Sequence, residues 1–230
     1  MVEVYGEEKG NTMKTILCYG DSNTYGCKPL SSEMLKKFIP GNLRFSKDQR
    51  WSGILAQKFE NKCDVIEEGL NARTTVWDDP MNPFRNGKEY LVPCLESHAP
   101  VDIVILMLGT NDFKTRFSLS AYDVSLGIAS LIEIIKSSGA GPNGTSPKIL
   151  LISPAAITHL TDFADMFGAT AQARSKELSS RLQRVAANHA CDFLDAGQIV
   201  TTSEIDGFHL DADSHTKLGE AVFKVITQML

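Results

Sequence analysis

Residues 102–112, DIVILMLGTND, run through an unbroken apolar series from Ile103 to Leu108 and then break into a glycine, a hydroxyl, an amide and a carboxylate. The run is far shorter than the roughly 20 residues that a membrane-spanning helix needs. A short continuous apolar stretch that stops at such a break reads as a buried parallel strand, whose end delivers Gly109-Thr110-Asn111-Asp112 to one edge of a sheet.

Working outward, four more stretches of the same kind occur at 15–19, 64–67, 148–153 and 191–194, and the central strand spans 102–108. Helical patterns alternate with them at 51–61, 89–97, 121–138, 171–190 and 214–229. In the third of these, Ser120 is placed to cap the helix, and Val124, Ile128, Leu131 and Ile135 repeat along one face. This alternation predicts a three-layer α/β domain with a central parallel sheet of five strands and a ligand site beyond the carboxyl ends of those strands. The Gly/Pro/Ser/Asn-rich stretch 139–147 reads as a surface turn, because a strand and helix of the same pattern follow it. Residues 14–230 are therefore expected to form one domain. Residues 1–13 are expected to be a loose tail, with Met1 or Met13 as the start.

Composition narrows the function. The chain has 230 residues, 43% of them hydrophobic, enough to bury a sizeable core. Lys and Arg total 23 against 28 Asp and Glu, a formal charge of -5, which argues against nucleic-acid and anionic-membrane partners. The opening residues lack the apolar core of a secretory signal. The five cysteines are scattered and form no CxxC pair, which points to a reduced, cytoplasmic setting. P-loop, HExxH and GxSxG patterns are missing, and the glycines at 139, 141 and 144 lie in the surface turn that leads into a strand, so neither a metal nor a nucleotide cofactor is expected.

Three short blocks could carry chemistry. The first strand leads into Gly20-Asp21-Ser22-Asn23-Thr24-Tyr25-Gly26, a tight strand-to-helix turn that would expose the Ser22 hydroxyl; read alone, Asp21 or Ser22 could equally be a helix cap. The third strand presents Asn111, whose neutral amide can donate to a developing oxyanion or simply occupy a turn. Near the end of the chain, Asp206-Gly207-Phe208-His209 is the one Asp-x-x-His, a spacing that lets the carboxylate hold Nδ1–H and leave Nε2 free as a base. His98, His159 and His189 lack such a partner, and His215 reads as part of the first turn of the last helix.

Taken together, Gly20-Asp21-Ser22, Gly69-Leu70-Asn71-Ala72, Gly109-Thr110-Asn111-Asp112 and Asp206-Gly207-Phe208-His209 resemble the four blocks of the SGNH or GDSL-like hydrolases, a match that spans residues 14–230. The resemblance implies a flavodoxin-like domain with Ser22 as nucleophile, His209 as base and Asp206 as its orienting acid. Oxyanion donors would be the Ser22 and Ala72 N–H groups and the Asn111 side chain. Ala72 departs from the glycine usual in the family, and it keeps the donor provided its φ is negative. The Gly69–Thr74 block with Trp77-Asp78-Asp79-Pro80 is similar to the arylesterase and acyltransferase branch, which implies small aryl or short-chain ester substrates and a homo-oligomer. Asp21, Tyr25, Asn71, Ala155 and Ile157 are candidates for the substrate pocket, with residues 160–167 either folding over it or forming a plain surface helix. Two other readings are a carbohydrate or lysophospholipid esterase with the same triad and a non-catalytic flavodoxin-like binding module.

Overall fold

Side chains along an extended strand point alternately to its two faces, and on the first strand both faces are apolar. β1 (Lys14–Gly20) sends Leu17 and Tyr19 into one core and Ile16 and Cys18 into another. The computed structural model describes residues 13–36, 43–160 and 162–230; of the expected tail, residues 1–12 lie outside them and Met13 is exposed.

After β1 come α1 (Ser22–Tyr25), α2 (Ser32–Lys36), α3 (Trp51–Phe59), β2 (Cys63–Gly69), α4 (Gly87–His98) and β3 (Ile103–Met107). The chain continues through α5 (Ala121–Ser137), β4 (Lys148–Ser153), α6 (Ala164–Phe167), α7 (Ala171–Asn188), β5 (Asp192–Asp195) and α8 (Ala212–Met229). The strands form a five-stranded, all-parallel sheet in the order β2-β1-β3-β4-β5. Leu91, Leu95, Val124, Ile128, Leu178 and Leu182 of α4, α5 and α7 cover one face, while Trp51, Leu55, Leu218, Val222 and Ile226 of α3 and α8 cover the other. This is the three-layer α/β arrangement that the sequence predicts.

Element ends depart from the expected ones for local reasons. The helix at 51 stops at Phe59, since Glu60 and Asn61 take φ of 34° and 30°. The next helix starts at Gly87, ahead of residue 89, because the Asn86 side chain accepts the Lys88 N–H at 3.0 Å. Ser120 caps α5 as expected, in a reciprocal box with Asp123. His215 does lie in the first turn of α8, but it is fully buried and its Nδ1 accepts the Trp51 N–H at 3.3 Å. Burial lowers its pKa to about 4, so the ring is neutral at pH 7.

The strand order reverses at β1: β2 lies to one side, and β3, β4 and β5 to the other. A crevice opens between strand ends at such a switch point. Here Gly20 pairs with Met107, so the segments leaving β1 and β3 flank one crevice.

Candidate active site

The serine turn is built by its neighbours. Asp21 follows β1 and caps α1, accepting the Asn23 N–H at 2.9 Å, and Gly26 closes the single helical turn at φ 84°. Asp21 is 1% exposed, and burial pushes its pKa up to about 6 against the opposing pull of the Asn23 N–H and of the His209 charge. A side chain at Gly69 would put a Cβ 2.1 Å from the Tyr25 N, so only glycine lets the end of β2 approach this turn. The result holds Ser22 at the start of α1, in the crevice.

The second component comes from the other end of the chain. Gly207 takes φ 83°, and a Cβ there would lie 2.6 Å from the His159 carbonyl oxygen. Its own carbonyl accepts the Thr158 N–H at 2.8 Å and the Thr202 hydroxyl at 2.9 Å, which sets the loop that carries Asp206 and His209. Asp206 Oδ1 accepts the Phe208 and His209 N–H groups at 3.2 and 3.0 Å, while Oδ2 accepts the Leu30 N–H at 3.1 Å and pairs with His209 Nδ1 at 2.7 Å. His209 Nε2 stands 3.0 Å from Ser22 Oγ.

Their electrostatics follow from these bonds. Burial acts to raise the Asp206 carboxyl, but the His209 ring and the two backbone donors outweigh it and hold its pKa below the ordinary carboxylate value. Burial alone would lower the His209 pKa. The hydrogen bond to Asp206, with contributions from the Cys27 side chain and the Asp206 charge, overrides it and lifts the value to about 9.

One positioning residue escaped the sequence reading. Asn23 donates its Nδ2–H to the Phe208 carbonyl at 3.0 Å and accepts the Leu210 N–H on Oδ1 at 2.9 Å, clamping the backbone on both sides of His209. The signal was its place beside Ser22, where the periodic pattern gives an amide no role. Asn23→Ala is expected to lower kcat by roughly 10- to 100-fold with little change in KM, since small misplacements of a base carry costs of that order. Steady-state kinetics beside a thermal melt checks this, and an unchanged kcat in a folded variant rejects the clamp.

From outside, Phe163 and Phe167 pack on Phe208 with ring centroids 5.2 and 5.0 Å away. Phe167 is fully buried. Residues 162–167 thus brace the histidine loop instead of covering the crevice as a free flap.

The oxyanion candidates converge on the same crevice. Asn111 opens a 3-10 turn after β3 and donates one Nδ2–H to the Arg73 carbonyl at 3.1 Å, which leaves its second N–H for a ligand. Among the described residues, neither the Ser22 N–H nor the Ala72 N–H has a protein acceptor. Arg73 is nearly buried, bonds the Gly20 and Glu68 carbonyls, and lies 4.1 Å over the Tyr19 ring. Asp112 ties the β3 end to the Ala72 loop by accepting the Thr75 N–H at 3.0 Å and its hydroxyl at 2.6 Å. Burial raises the Asp112 pKa to about 6.

Ala72 corrects an expectation: its φ is 65°, not negative. With Asn71 it forms the centre of a turn closed by the Arg73 N–H to the Leu70 carbonyl at 3.1 Å, and a positive φ at the third position is what a type II turn requires. The N–H survives, but a residue with a Cβ is strained there. The left-handed conformation costs an L-residue roughly 1–2 kcal/mol, partly offset by the greater unfolded-state freedom of glycine. Ala72→Gly should therefore raise stability by about 0.5–1 kcal/mol in urea unfolding, and a lower midpoint would contradict the strain.

The pocket candidates divide. Tyr25 is half-buried with the Arg44 guanidinium 4.0 Å over its ring, and Asn71 is exposed beside the Ala72 turn. Asp21, Ala155 and Ile157, by contrast, are buried. Asp21 is occupied in the α1 cap, Ala155 packs on the α3/α8 core, and Ile157 is fully buried in the opposite core.

Comparison with known proteins agrees with this arrangement. Residues 18–218 match the model of the GDSL-like Lipase/Acylhydrolase family. A carbohydrate acetylesterase from Sinorhizobium meliloti is 37% identical, with a TM-score of 0.86 over 94% of this chain and 100% of that one. The native aryl esterase of M. smegmatis is 36% identical, with a TM-score of 0.87 over the same shares. A lipolytic G-D-S-L family member from Veillonella parvula, 19% identical with a TM-score of 0.62 over 94% of this chain and 99% of that one, shares the fold alone. No curated protein matches at a significant level. A family match that runs from the strand before the serine turn into the helix behind the histidine loop leaves one assignment: the chain belongs to the GDSL-like lipase/acylhydrolase family, the carboxylic ester hydrolases of SGNH type.

Proposed function

We propose that the enzyme cleaves small aryl or short-chain carboxylic esters through an acyl-enzyme on Ser22. The observation that carries this is the relay Ser22 Oγ, His209 Nε2, His209 Nδ1, Asp206 Oδ2, with contacts of 3.0 and 2.7 Å. In the first half-reaction Ser22 Oγ bonds to the ester carbonyl carbon as Nε2 takes its proton, and the carbonyl oxygen becomes an oxyanion. The Ser22 and Ala72 N–H groups and the Asn111 amide receive that charge. The imidazolium returns its proton to the leaving alcohol as the carbon–oxygen bond breaks. Water, or a second alcohol where the site excludes water, then releases the acyl group by the same steps reversed, so the enzyme acts as a hydrolase or an acyltransferase according to the acceptor.

The small-ester reading is supported by the similarity to the M. smegmatis aryl esterase and by the 7% exposure of Ser22, which suits a slim acyl group. An acetyl ester on a carbohydrate is the second reading, favoured by the S. meliloti similarity. No helix of the described residues is long and apolar enough to cross a membrane. Self-association and a cytoplasmic setting belong to the same proposal: exposed Met81 and Phe84, with Trp77 near them, support the first, and the scattered cysteines support the second.

Labelling tests the acyl-enzyme. A serine-directed organophosphate should add one phosphoryl group, located at Ser22 by peptide mass spectrometry, and abolish hydrolysis; full activity after exposure, or a label elsewhere, overturns it. Asn111→Ala should lower kcat by about 10²- to 10³-fold, the usual cost of one oxyanion donor, and a rate within threefold of the parent would remove Asn111 from that role.

A further inference from the structure

Outside the active centre, one cluster has the makeup of a metal site. Cys94 and His98 stand one turn apart on α4, and Glu68 lies next to the end of β2, the edge strand. Their thiol sulfur, ring nitrogen and carboxylate oxygen lie within 4.8 Å of one another, and His98 Nε2 is 2.9 Å from Glu68 Oε1. Zinc bonds of about 2.3 Å to sulfur and about 2.0–2.2 Å to nitrogen and oxygen set tetrahedral donors roughly 3.5 Å apart. Closing the three donors on one ion needs shifts on the order of 1 Å, within the reach of side-chain rotation.

We propose that Glu68, Cys94 and His98 bind one Zn²⁺, with the fourth position left to solvent. A thiolate, an imidazole and a carboxylate form a donor set that zinc accepts and that magnesium or calcium, which take oxygen ligands, do not. Charge also balances: Zn²⁺ with a thiolate, a carboxylate and a neutral imidazole sums to zero. Such a site is tolerable beside the buried Arg73 guanidinium, which is already held by the Gly20 and Glu68 carbonyls. A cavity of about 480 Å³, lined by Glu68 together with Glu89 and Tyr90, adjoins the carboxylate. The sequence reading missed the cluster because its donors come from a helix turn and a separate strand, with no CxxC signature.

Binding breaks the Cys94 S–H bond, forms a zinc–sulfur bond and releases the proton to solvent. At His98 the Nε2 proton that faces Glu68 Oε1 is lost to solvent as Nδ1 takes one up, so the neutral ring offers its Nε2 lone pair. Because one proton is released, affinity should rise with pH.

CoCl₂ is the direct probe, added to the metal-free full chain under reducing conditions. One cobalt per chain should give a thiolate-to-metal charge-transfer band in the near-ultraviolet, displaced by Zn²⁺. Cys94→Ser should lose that band, His98→Gln should bind at least tenfold more weakly, and both should retain ester hydrolysis. The proposal falls if the parent shows no thiolate band or if the band keeps its strength in Cys94→Ser. Should Cys94→Ser not fold, His98→Gln decides, since its ring is partly exposed, and undiminished cobalt affinity there overturns the site.

Discussion

With the hydroxyl removed, Ser22→Ala is expected to lose about 10⁴- to 10⁶-fold in kcat for a short aryl ester, leaving the slow residual rate that oxyanion donors and binding alone support. The protein itself should be undisturbed. Ser22 Oγ has His209 Nε2 as its hydrogen-bond partner, while the turn is held by Asp21, Gly26 and Asn23 through bonds that the substitution leaves in place. A melting temperature within about 2 °C of the parent is therefore expected alongside the collapse in rate. Turnover near the parental level would dismiss Ser22 as nucleophile.

His209→Ala should cost a comparable factor, and the double variant hardly more, because residues that act as one unit are not additive. The pH profile gives the sharper test. Only the neutral ring can accept the Ser22 proton, and its pKa is lifted to about 9 by the Asp206 bond, with Cys27 contributing. Accordingly kcat/KM should rise with pH through a midpoint between the ordinary histidine value of about 6.5 and about 9, tenfold per unit on the acid side. Stability has the opposite sign. A folded pKa above the unfolded one favours the native state fully below about pH 6.5, and that contribution fades as pH climbs through about 9. The alkaline window that frees the base thus weakens the fold. A flat rate between pH 5 and 8 would exclude His209 as the base.

Much of this was readable from local pattern. Continuous apolar runs such as 103–108 fix a buried strand regardless of what surrounds it, and the five strands with their helices follow directly. The Ser22 and Asn111 blocks declared themselves because each sits at a strand end, and the Asp206/His209 block because of its Asp-x-x-His spacing. What escaped depends on contacts between distant segments. Asn23 has no periodic signature, and its importance lies in two bonds to a loop near the other end of the chain. Ile157 and Ala155 looked like pocket walls by their place after β4, but the direction of each side chain is settled by packing against helices on opposite faces. At Ala72 the donor was foreseeable and the sign of φ was not, since only the closed turn reveals it.

The hydrogen bond between Ser22 and His209 joins residues 187 positions apart. Bringing such remote segments together carries a loop-closure entropy that nearby contacts do not, so this link should mature late when the polypeptide refolds. Catalysis then reports on completion: after dilution from denaturant, far-ultraviolet ellipticity should recover ahead of turnover. For the same reason, proteolytic loss of the segment from β5 onward would leave a chain that keeps Ser22, the proposed nucleophile, and lacks His209, its proposed base.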